Sequence, residues 1–179
     1  DIYSEYDDIL DKHPHAISKK ILGYGGDEAG NADENLPIYE YEFKNAQNGS
    51  RTLENNTLTI KIVTGLHGNE KSSTWSALQF FKQLMENWVD NDSLASIKIN
   101  VIFKIIQIAS PWSYNNNVRA NAKGVDLNRN FSYRWDENTD AKGTHPYSEL
   151  ETSILRDWLA EGADVCIDFH NTGETIDPS

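Results

Sequence analysis

Apolar and polar residues alternate along one stretch of this chain, and the next stretch has helical spacing. Residues 57–64 alternate apolar with polar side chains, which predicts a β-strand. Large apolar residues then recur every three or four positions and predict a helix over residues 72–89; they are Trp75, Leu78, Phe81, Leu84 and Met85. Residues 65–71 therefore form a loop beyond the carboxyl end of a strand, where open α/β sheets place their ligands.

The residues upstream predict a helix followed by two strands. Residues 2–11 carry apolar side chains on one face of a short acidic helix that Pro14 stops. Residues 16–24 and 36–43 predict two strands, separated by a loop that holds Gly23, Tyr24, Gly25, Gly26 and an acidic run. That loop is interpreted as a turn and not a phosphate cradle, because its carboxylates would repel phosphate and no helix follows. Residues 45–56 predict a second polar loop.

The second half of the chain begins with a strongly apolar run. Residues 97–108 predict a long central strand buried on both faces, and residues 110–133 predict a long polar loop with a function. Ser148 and Glu151 fit a capping box at the start of a helix that ends near Gly162. Capping and compensation of the helix dipole explain Glu149 and Glu151 better than an acid/base pair does.

A final apolar strand over residues 163–169 completes an alternation of strands and helices that predicts an α/β/α sandwich. Cys166 in this strand is predicted to be a small core residue.

Composition narrows the possible functions of the chain. Its 179 residues, 38% of them hydrophobic, predict one globular domain. A formal charge of −12 argues against nucleic acid or an anionic membrane surface as a partner. The single cysteine excludes an internal disulfide and a cysteine-based zinc site. No membrane-spanning stretch or signal peptide is visible, and a start at Asp1 indicates a processed or excised piece.

Three residues carry the candidate chemistry. His67 and Glu70 lie three residues apart in the loop after the first strand, so an imidazole nitrogen and a carboxylate oxygen can reach one metal ion. The alternative is that His67 is a turn residue and Glu70 caps the helix. His170 follows the final strand in the same manner and supplies a third ligand. Two histidines and a glutamate are the ligand set of a catalytic zinc that keeps a position open for water.

These residues lie within a set of four ordered motifs. His67-Gly68-Asn69-Glu70 has the form His-x-x-Glu, and residues 124–131 read Gly-Val-Asp-Leu-Asn-Arg-Asn-Phe. Residues 146–152 read Pro-Tyr-Ser-Glu-Leu-Glu-Thr, and the strand-end histidine follows. With these motifs and its helix-strand-strand beginning, the chain resembles the M14 zinc carboxypeptidases. The resemblance implies a three-layer α/β/α sandwich with a mixed, mostly parallel sheet, incomplete at its C-terminal end.

The resemblance also implies roles for individual residues. His67, Glu70 and His170 match the ligands of one Zn²⁺ per chain, and Asp126 matches the carboxylate that orients the first histidine. Asn128 and Arg129 match the pair that grips the terminal carboxylate of a peptide, a task that suits a planar guanidinium. Arg119 matches the arginine that stabilises the oxyanion when water attacks.

Each role has a simpler alternative. Asp126 and Asn128 could only cap turns, and Arg119 could be a solvated loop charge. Trp112 and Tyr114 could line a cleft or pack the loop. Arg134 is predicted to be a surface partner of nearby acidic residues. The three other histidines are also predicted to lie at the surface: His13, His15 and His145.

The resemblance leaves one catalytic group unassigned. The family's general base is a glutamate on a strand well downstream of the last histidine, and Glu174 is too close in sequence to be that residue. The chain is therefore interpreted as residues 1–179 of the N-terminal part of a catalytic domain, cut from a longer enzyme, with a natural partial binding domain as the alternative. We expect this piece alone to be weakly active or inactive.

Three functions follow from these observations. The first is a zinc peptidase of carboxypeptidase type that hydrolyses an amide bond next to a free carboxylate, with a peptide or peptidoglycan-type peptide as substrate. The second is a zinc deacylase of the aspartoacylase and succinylglutamate desuccinylase type, and the third is a non-catalytic binding module of a cell-wall or virion protein. An extracellular or virion-associated location is favoured, and the oligomeric state stays open.

Overall fold

The computed structural model describes residues 1–44, 57–87 and 91–171. This part of the chain forms five helices and five strands. The helices are α1 (Ile2–Lys12), α2 (Lys71–Glu86), α3 (Asp92–Asn100), α4 (Pro111–Asn116) and α5 (Leu150–Ala160). The strands are β1 (Ile17–Gly26), β2 (Ala32–Phe43), β3 (Leu58–Val63), β4 (Val101–Ile106) and β5 (Val165–Asp168). Two short 3₁₀ turns lie at Leu127–Arg129 and Trp135–Glu137.

The five strands form one mixed sheet in the order β1-β2-β4-β3-β5. β1 and β2 are antiparallel, as are β2 and β4. β3 runs parallel to both β4 and β5. The mixed sheet with covering helices confirms the predicted fold class, with the parallel pairings concentrated in the half of the sheet that carries β3 and β5.

Helices cover both faces of the sheet. Successive residues of a strand point to opposite faces, and Ile105 and Ile106 of β4 accordingly belong to two different clusters of buried residues. On one face α1 and α2 pack through Tyr6 and Phe81, and the Phe81 ring stacks on that of Phe43 with centroids 4.1 Å apart. On the other face α5 contributes Leu155 and Trp158. Burial of these apolar surfaces stabilises the three-layer arrangement.

Two predicted boundaries are wrong in the first half of the chain. Gly23, Tyr24, Gly25 and Gly26 belong to β1, and β2 begins already at Ala32, so the intervening turn is short. The pairing of β1 with β2 shifts register between Ile21 and Gly23 and again between Tyr24 and Gly26. Glycine accommodates such irregularities, which is why a glycine-rich segment stays in the strand here.

The long strand predicted over residues 97–108 is also wrong at its beginning. Residues 97–100 belong to helix α3, and β4 starts at Val101. The Asn91 side chain accepts hydrogen bonds from the backbone N–H groups of Ser93 and Leu94, and this cap starts a helix across residues whose composition favours a strand. The predicted loop at residues 45–56 and the predicted helical residues 88 and 89 lie outside the described residues.

Three further predictions need correction in the second half. The polar loop over residues 110–133 contains helix α4 and a 3₁₀ turn. Helix α5 has Glu149 at its N-cap position, and its first turn makes no side-chain cap, so the Ser148–Glu151 capping box is absent. Cys166 is exposed, not buried, because β5 has a neighbour on one side only within the described part of the sheet. No described helix is both long and apolar enough to cross a membrane.

Candidate metal centre

Two neighbouring parallel strands bring the predicted metal ligands to one edge of the sheet. β3 and β5 pair in register, with Val63 opposite Asp168, so the segments that follow them leave the sheet side by side. The segment after β3 carries His67 and Glu70, and the segment after β5 carries His170. Glu70 occupies the N-cap position of α2, but its side chain makes no capping hydrogen bond and is available for other partners.

The three predicted donors converge on one point. Single donor atoms of His67, Glu70 and His170 all lie within 4.8 Å of one another, and in residues 1–44, 57–87 and 91–171 they form the one such group of histidine, cysteine or acidic side chains. His67 Nδ1 lies 2.9 Å from Glu70 Oε1, and His170 Nδ1 lies 2.7 Å from Glu70 Oε2. His67 and Glu70 are buried, whereas His170 is partly exposed. The arrangement leaves His13, His15 and His145 outside the group, as predicted.

The surroundings of the two imidazoles fit a cation. His67 Nε2 lies 2.9 Å from Asp126 Oδ1, so both ring nitrogens of His67 face carboxylate oxygens. A neutral imidazole donates from one nitrogen only, so one of these contacts needs an additional proton or a metal ion between the two groups. The same holds for His170, whose Nε2 lies 2.9 Å from Asp168 Oδ2. Imidazole nitrogens and a carboxylate oxygen are ligands that suit Zn²⁺.

The electrostatics of the site favour charged side chains. Burial alone would raise the pKa of Asp126, but the hydrogen bond and charge of His67, together with Arg119, lower it to about 2. Burial likewise opposes ionisation of Glu70, and the hydrogen bond from His170 and the charge of His67 still hold its pKa below the usual value. The hydrogen bond to Asp168 raises the pKa of His170 to about 9, against the effect of burial. The cluster therefore retains its carboxylates in the ionised form that binds cations.

Arg119 and Asp126 link the loop after α4 to the donor group. Arg119 Nη1 donates to Glu70 Oε1 at 3.0 Å, and Arg119 Nε donates to Asp126 Oδ2 at 2.9 Å. Arg119 is thus beside the donors and is not a free loop charge. Asp126 also accepts a hydrogen bond from the backbone N–H of Asn128, so it caps the 3₁₀ turn in addition to contacting His67.

The two residues predicted to hold a substrate carboxylate lie at the surface next to this group. Asn128 and Arg129 are exposed on the 3₁₀ turn that Asp126 begins. Arg129 Nη1 donates to the backbone carbonyl of Asn128, and Asn128 lines a cavity of about 320 Å³ together with Phe131 and Tyr133. The side chain of Arg134 pairs with Glu137, as expected of a surface residue.

Several residues around the site have roles that the sequence analysis missed. The Asp168 side chain contacts His170. The sequence signal for this contact is that Asp168 lies two residues before His170 and therefore on the same face of the strand. The Glu149 carboxylate accepts hydrogen bonds from Asn121, Lys123 and Ser148, and the Glu151 carboxylate accepts one from the backbone N–H of Gly26. The Glu149 carboxylate therefore holds the loop that contains Asn121 and Lys123, the Glu151 carboxylate holds the end of β1, and neither caps the helix. Tyr114 packs against the buried cluster that contains Phe81, and the Lys71 ammonium lies over its ring.

Comparisons with known proteins give relatives of this chain and solved structures of similar fold. Carboxypeptidase O of Bos taurus is 22% identical over 204 residues, covering 98% of this chain and 50% of the relative. A probable aspartoacylase of Prochlorococcus marinus is 30% identical over 117 residues, covering 63% of this chain and 34% of the relative. The crystal structure of carboxypeptidase A from Helicoverpa armigera superimposes with a TM-score of 0.73 at 20% identity, covering 92% of this chain and 43% of that structure, which shows the fold.

The match to a family model extends over nearly the whole chain. The model described as zinc carboxypeptidase covers residues 2–176, although the chain spans about half the length of carboxypeptidase O. This match establishes membership of the M14 family. The residues whose donor atoms converge belong to the motifs that first suggested this family. The chain belongs to the M14 zinc carboxypeptidase family.

Proposed function

We propose that this chain binds one Zn²⁺ through His67, Glu70 and His170. We further propose that residues 1–179 form the N-terminal part of the catalytic domain of a carboxypeptidase-type peptidase. The observation that carries the proposal is the convergence of the three donors at the ends of two adjacent parallel strands. The reaction is hydrolysis of an amide bond next to a free carboxylate, and membership of the zinc carboxypeptidase family supports it.

The residues around the donors have separate tasks in this proposal. Zinc, when bound, supplies an activated water and polarises the substrate carbonyl. Asp126 holds the His67 ring through Nε2, and the guanidinium of Arg129 receives the substrate carboxylate in a bidentate contact. Arg119 stabilises negative charge on the carbonyl oxygen. Because Arg119 contacts both Glu70 and Asp126, it gives up one of these contacts to reach the substrate.

The general base is the part that the described residues do not supply. The carboxylates next to the donors, Asp126 and Asp168, each contact a histidine ring, and Glu174 lies outside the described residues. General base help contributes ~10²–10⁴-fold to such reactions. We therefore expect the 179-residue chain alone to bind zinc and substrate carboxylates but to hydrolyse peptides weakly or not at all.

Elemental analysis of the purified chain tests the metal site. We expect about one zinc per chain, lost in His67→Ala and retained in His145→Ala, because His145 is exposed and outside the donor group. Circular dichroism spectra of the three proteins check that each is folded. A folded wild-type chain that takes up no zinc from a zinc-containing buffer would overturn the proposal.

A choice of substrates separates carboxypeptidase from deacylase activity. The similarity to a probable aspartoacylase favours N-acyl amino acid hydrolysis as the second candidate function. The zinc-loaded chain and the longer natural protein would be incubated with a peptide bearing a free C-terminus, the same peptide amidated, and N-acetylaspartate. Release of the C-terminal residue from the free peptide alone supports the carboxypeptidase, and release of acetate supports the deacylase. Binding without cleavage by the longer protein would indicate a binding module.

A further inference from the structure

The His170 ring is held between two carboxylates from different parts of the chain. Its Nδ1 lies 2.7 Å from Glu70 Oε2, and its Nε2 lies 2.9 Å from Asp168 Oδ2. The backbone N–H of Asn171 also donates to Glu70 Oε2 at 3.2 Å, which ties the strand end to the donor group. The ring is therefore oriented from both of its nitrogens.

The same arrangement occurs at the other histidine. His67 presents Nδ1 to Glu70 and Nε2 to Asp126, as His170 presents Nδ1 to Glu70 and Nε2 to Asp168. The two rings lie with their centroids 4.8 Å apart. The Nδ1 atoms thus face the shared point of the donor group, and each outward Nε2 has its own aspartate.

The backbone of β5 explains why Asp168 reaches this position. Asp168 is the last residue of the strand and lies opposite Val63 in the ladder with β3, and the backbone N–H of Phe169 donates to the Val63 carbonyl at 2.9 Å. Residues two apart on an extended segment share a face, so the side chains of Asp168 and His170 meet. Pairing with β3 holds the aspartate in place although its side chain is 44% exposed.

We propose that Asp168 is a positioning residue that accepts a hydrogen bond from the Nε2–H of His170 and keeps Nδ1 free for the metal ion. This inference rests on the proposed zinc site. The second ring N–H of a metal-bound histidine generally donates a hydrogen bond to a carboxylate or carbonyl, which fixes the tautomer and raises the basicity of the ligand. The alternative is an exposed ion pair without effect on the metal, because such pairs contribute little on their own.

Competition with a chromophoric chelator measures the effect on zinc affinity. We expect Asp168→Ala to weaken zinc binding ~10–100-fold, the range seen for partners that support metal ligands. Asp168→Asn should lie between Asp168→Ala and wild type, because an amide oxygen still accepts a hydrogen bond from Nε2–H but carries no charge. Asp157→Asn is the matched control, since Asp157 is exposed on α5 and pairs with Arg156.

A nuclear magnetic resonance measurement separates positioning from a merely structural effect. Long-range ¹H–¹⁵N correlations of the zinc-loaded chain should show His170 bound through Nδ1 and protonated at Nε2. The hydrogen bond to Asp168 should shift this Nε2–H proton downfield, and Asp168→Ala should move it upfield. Zinc affinity of Asp168→Ala within about two-fold of wild type, with the Nε2–H proton shift unchanged, would overturn this inference while leaving the zinc site intact. A wild-type chain that binds no zinc would overturn both.

Discussion

Gly68 lies directly against the backbone of Ser113. A Cβ atom at Gly68 would come within 1.9 Å of the Ser113 carbonyl carbon and within 2.0 Å of its oxygen. Ser113 is buried on α4, and its hydroxyl group contacts that of Ser110 and the carbonyl of Ala120. Helix α4 therefore packs on the loop between His67 and Glu70 at a distance that only glycine permits.

The substitution Gly68→Ala is expected to damage the metal site. The added methyl group would overlap backbone atoms, which cannot rotate away as a side chain can, so the loop and α4 must separate. We expect a loss of about 1–3 kcal/mol in the free energy of unfolding, as for overpacked cores, and a loss of stoichiometric zinc binding. Urea unfolding and elemental analysis measure the two effects.

Gly26→Ala is the matched control for this prediction. A Cβ atom at Gly26 would meet nothing closer than 3.8 Å, and the backbone N–H that donates to Glu151 stays in place. Zinc stoichiometry should therefore be unchanged in Gly26→Ala. Equal zinc binding by wild type and both glycine variants would contradict the close packing of α4 on the metal loop.

The substitution Asn130→Ala is expected to destabilise the protein strongly. The Asn130 side chain is fully buried. Its Nδ2 group donates hydrogen bonds to the carbonyl oxygens of Lys142 and His145 and to Ser148 Oγ. Its Oδ1 atom accepts hydrogen bonds from the backbone N–H of Glu149 and the hydroxyl group of Thr152. Its removal leaves several buried groups without partners, which costs about 3 kcal/mol. Urea unfolding measures this loss. Asn116→Ala, at an exposed asparagine, should change stability by less than about 0.5 kcal/mol.

The buried carboxyl group of Glu151 is expected to make stability depend on pH. Burial raises its pKa above the ordinary value of 4.5, because the charged form loses hydration and Oε2 has no hydrogen-bond partner. The folded state therefore holds this proton more tightly than the unfolded state does. The stability contributed by the protonated form is present below the unfolded pKa and is lost as the pH rises through the folded pKa.

The variant Glu151→Gln isolates this effect. The amide oxygen can still accept from the Gly26 backbone, but the side chain does not ionise. We expect similar stability of variant and wild type near pH 4 and a more stable variant near pH 7, by about 1.4 kcal/mol for each unit between the folded and unfolded pKa. Urea unfolding at both values measures the difference. A pH-independent difference would show that Glu151 ionises in the folded protein as readily as in the unfolded chain.

Arg129 is expected to determine affinity for ligands with a free carboxylate. Its guanidinium is exposed, and charge-assisted hydrogen bonds contribute about 1.5–3 kcal/mol, so Arg129→Gln should weaken binding of a free-carboxylate peptide roughly 10–150-fold. Calorimetric titration of the zinc-loaded chain measures the affinity. The amidated peptide should bind both proteins equally, and Arg134→Gln should behave as wild type because Arg134 pairs with Glu137. Equal losses for the free and amidated peptides would count against a carboxylate contact.

The sequence predicted the fold where a periodic pattern coincided with the final packing. Phe81 and Leu84 recur at helical spacing and lie in the core, and β3 lies within the predicted residues 57–64. The burial of β3 does not alternate, because Lys61 is buried together with Ile62 and Val63. The prediction was wrong for residues 97–100, because a local cap at Asn91 starts a helix across residues with strand composition. It was also wrong for Cys166, because burial of a strand depends on what neighbours it in space and not on its own residues.

The candidate site was predictable to the extent that its residues lie in ordered motifs. The structure brings His67, Glu70 and His170 together, and Arg119 and Asp126 lie beside them, although their roles stay predictions. The contacts of Asn130 and Glu149 could not be predicted in the same way. They join segments whose separation in sequence carries no periodic signal, and only the packing of α5 and the loops places their polar atoms together.

The separation of the donors along the chain has a consequence for biosynthesis. Glu70 and His170 are 100 residues apart, although their side chains touch in the folded protein. At ~5–20 residues per second, a ribosome makes His170 roughly 5–20 s after Glu70. During that interval the nascent polypeptide offers only a two-ligand chelate, which holds zinc weakly. Loading of the metal is therefore expected to follow release of β5 and His170 from the exit tunnel, when the third ligand becomes available.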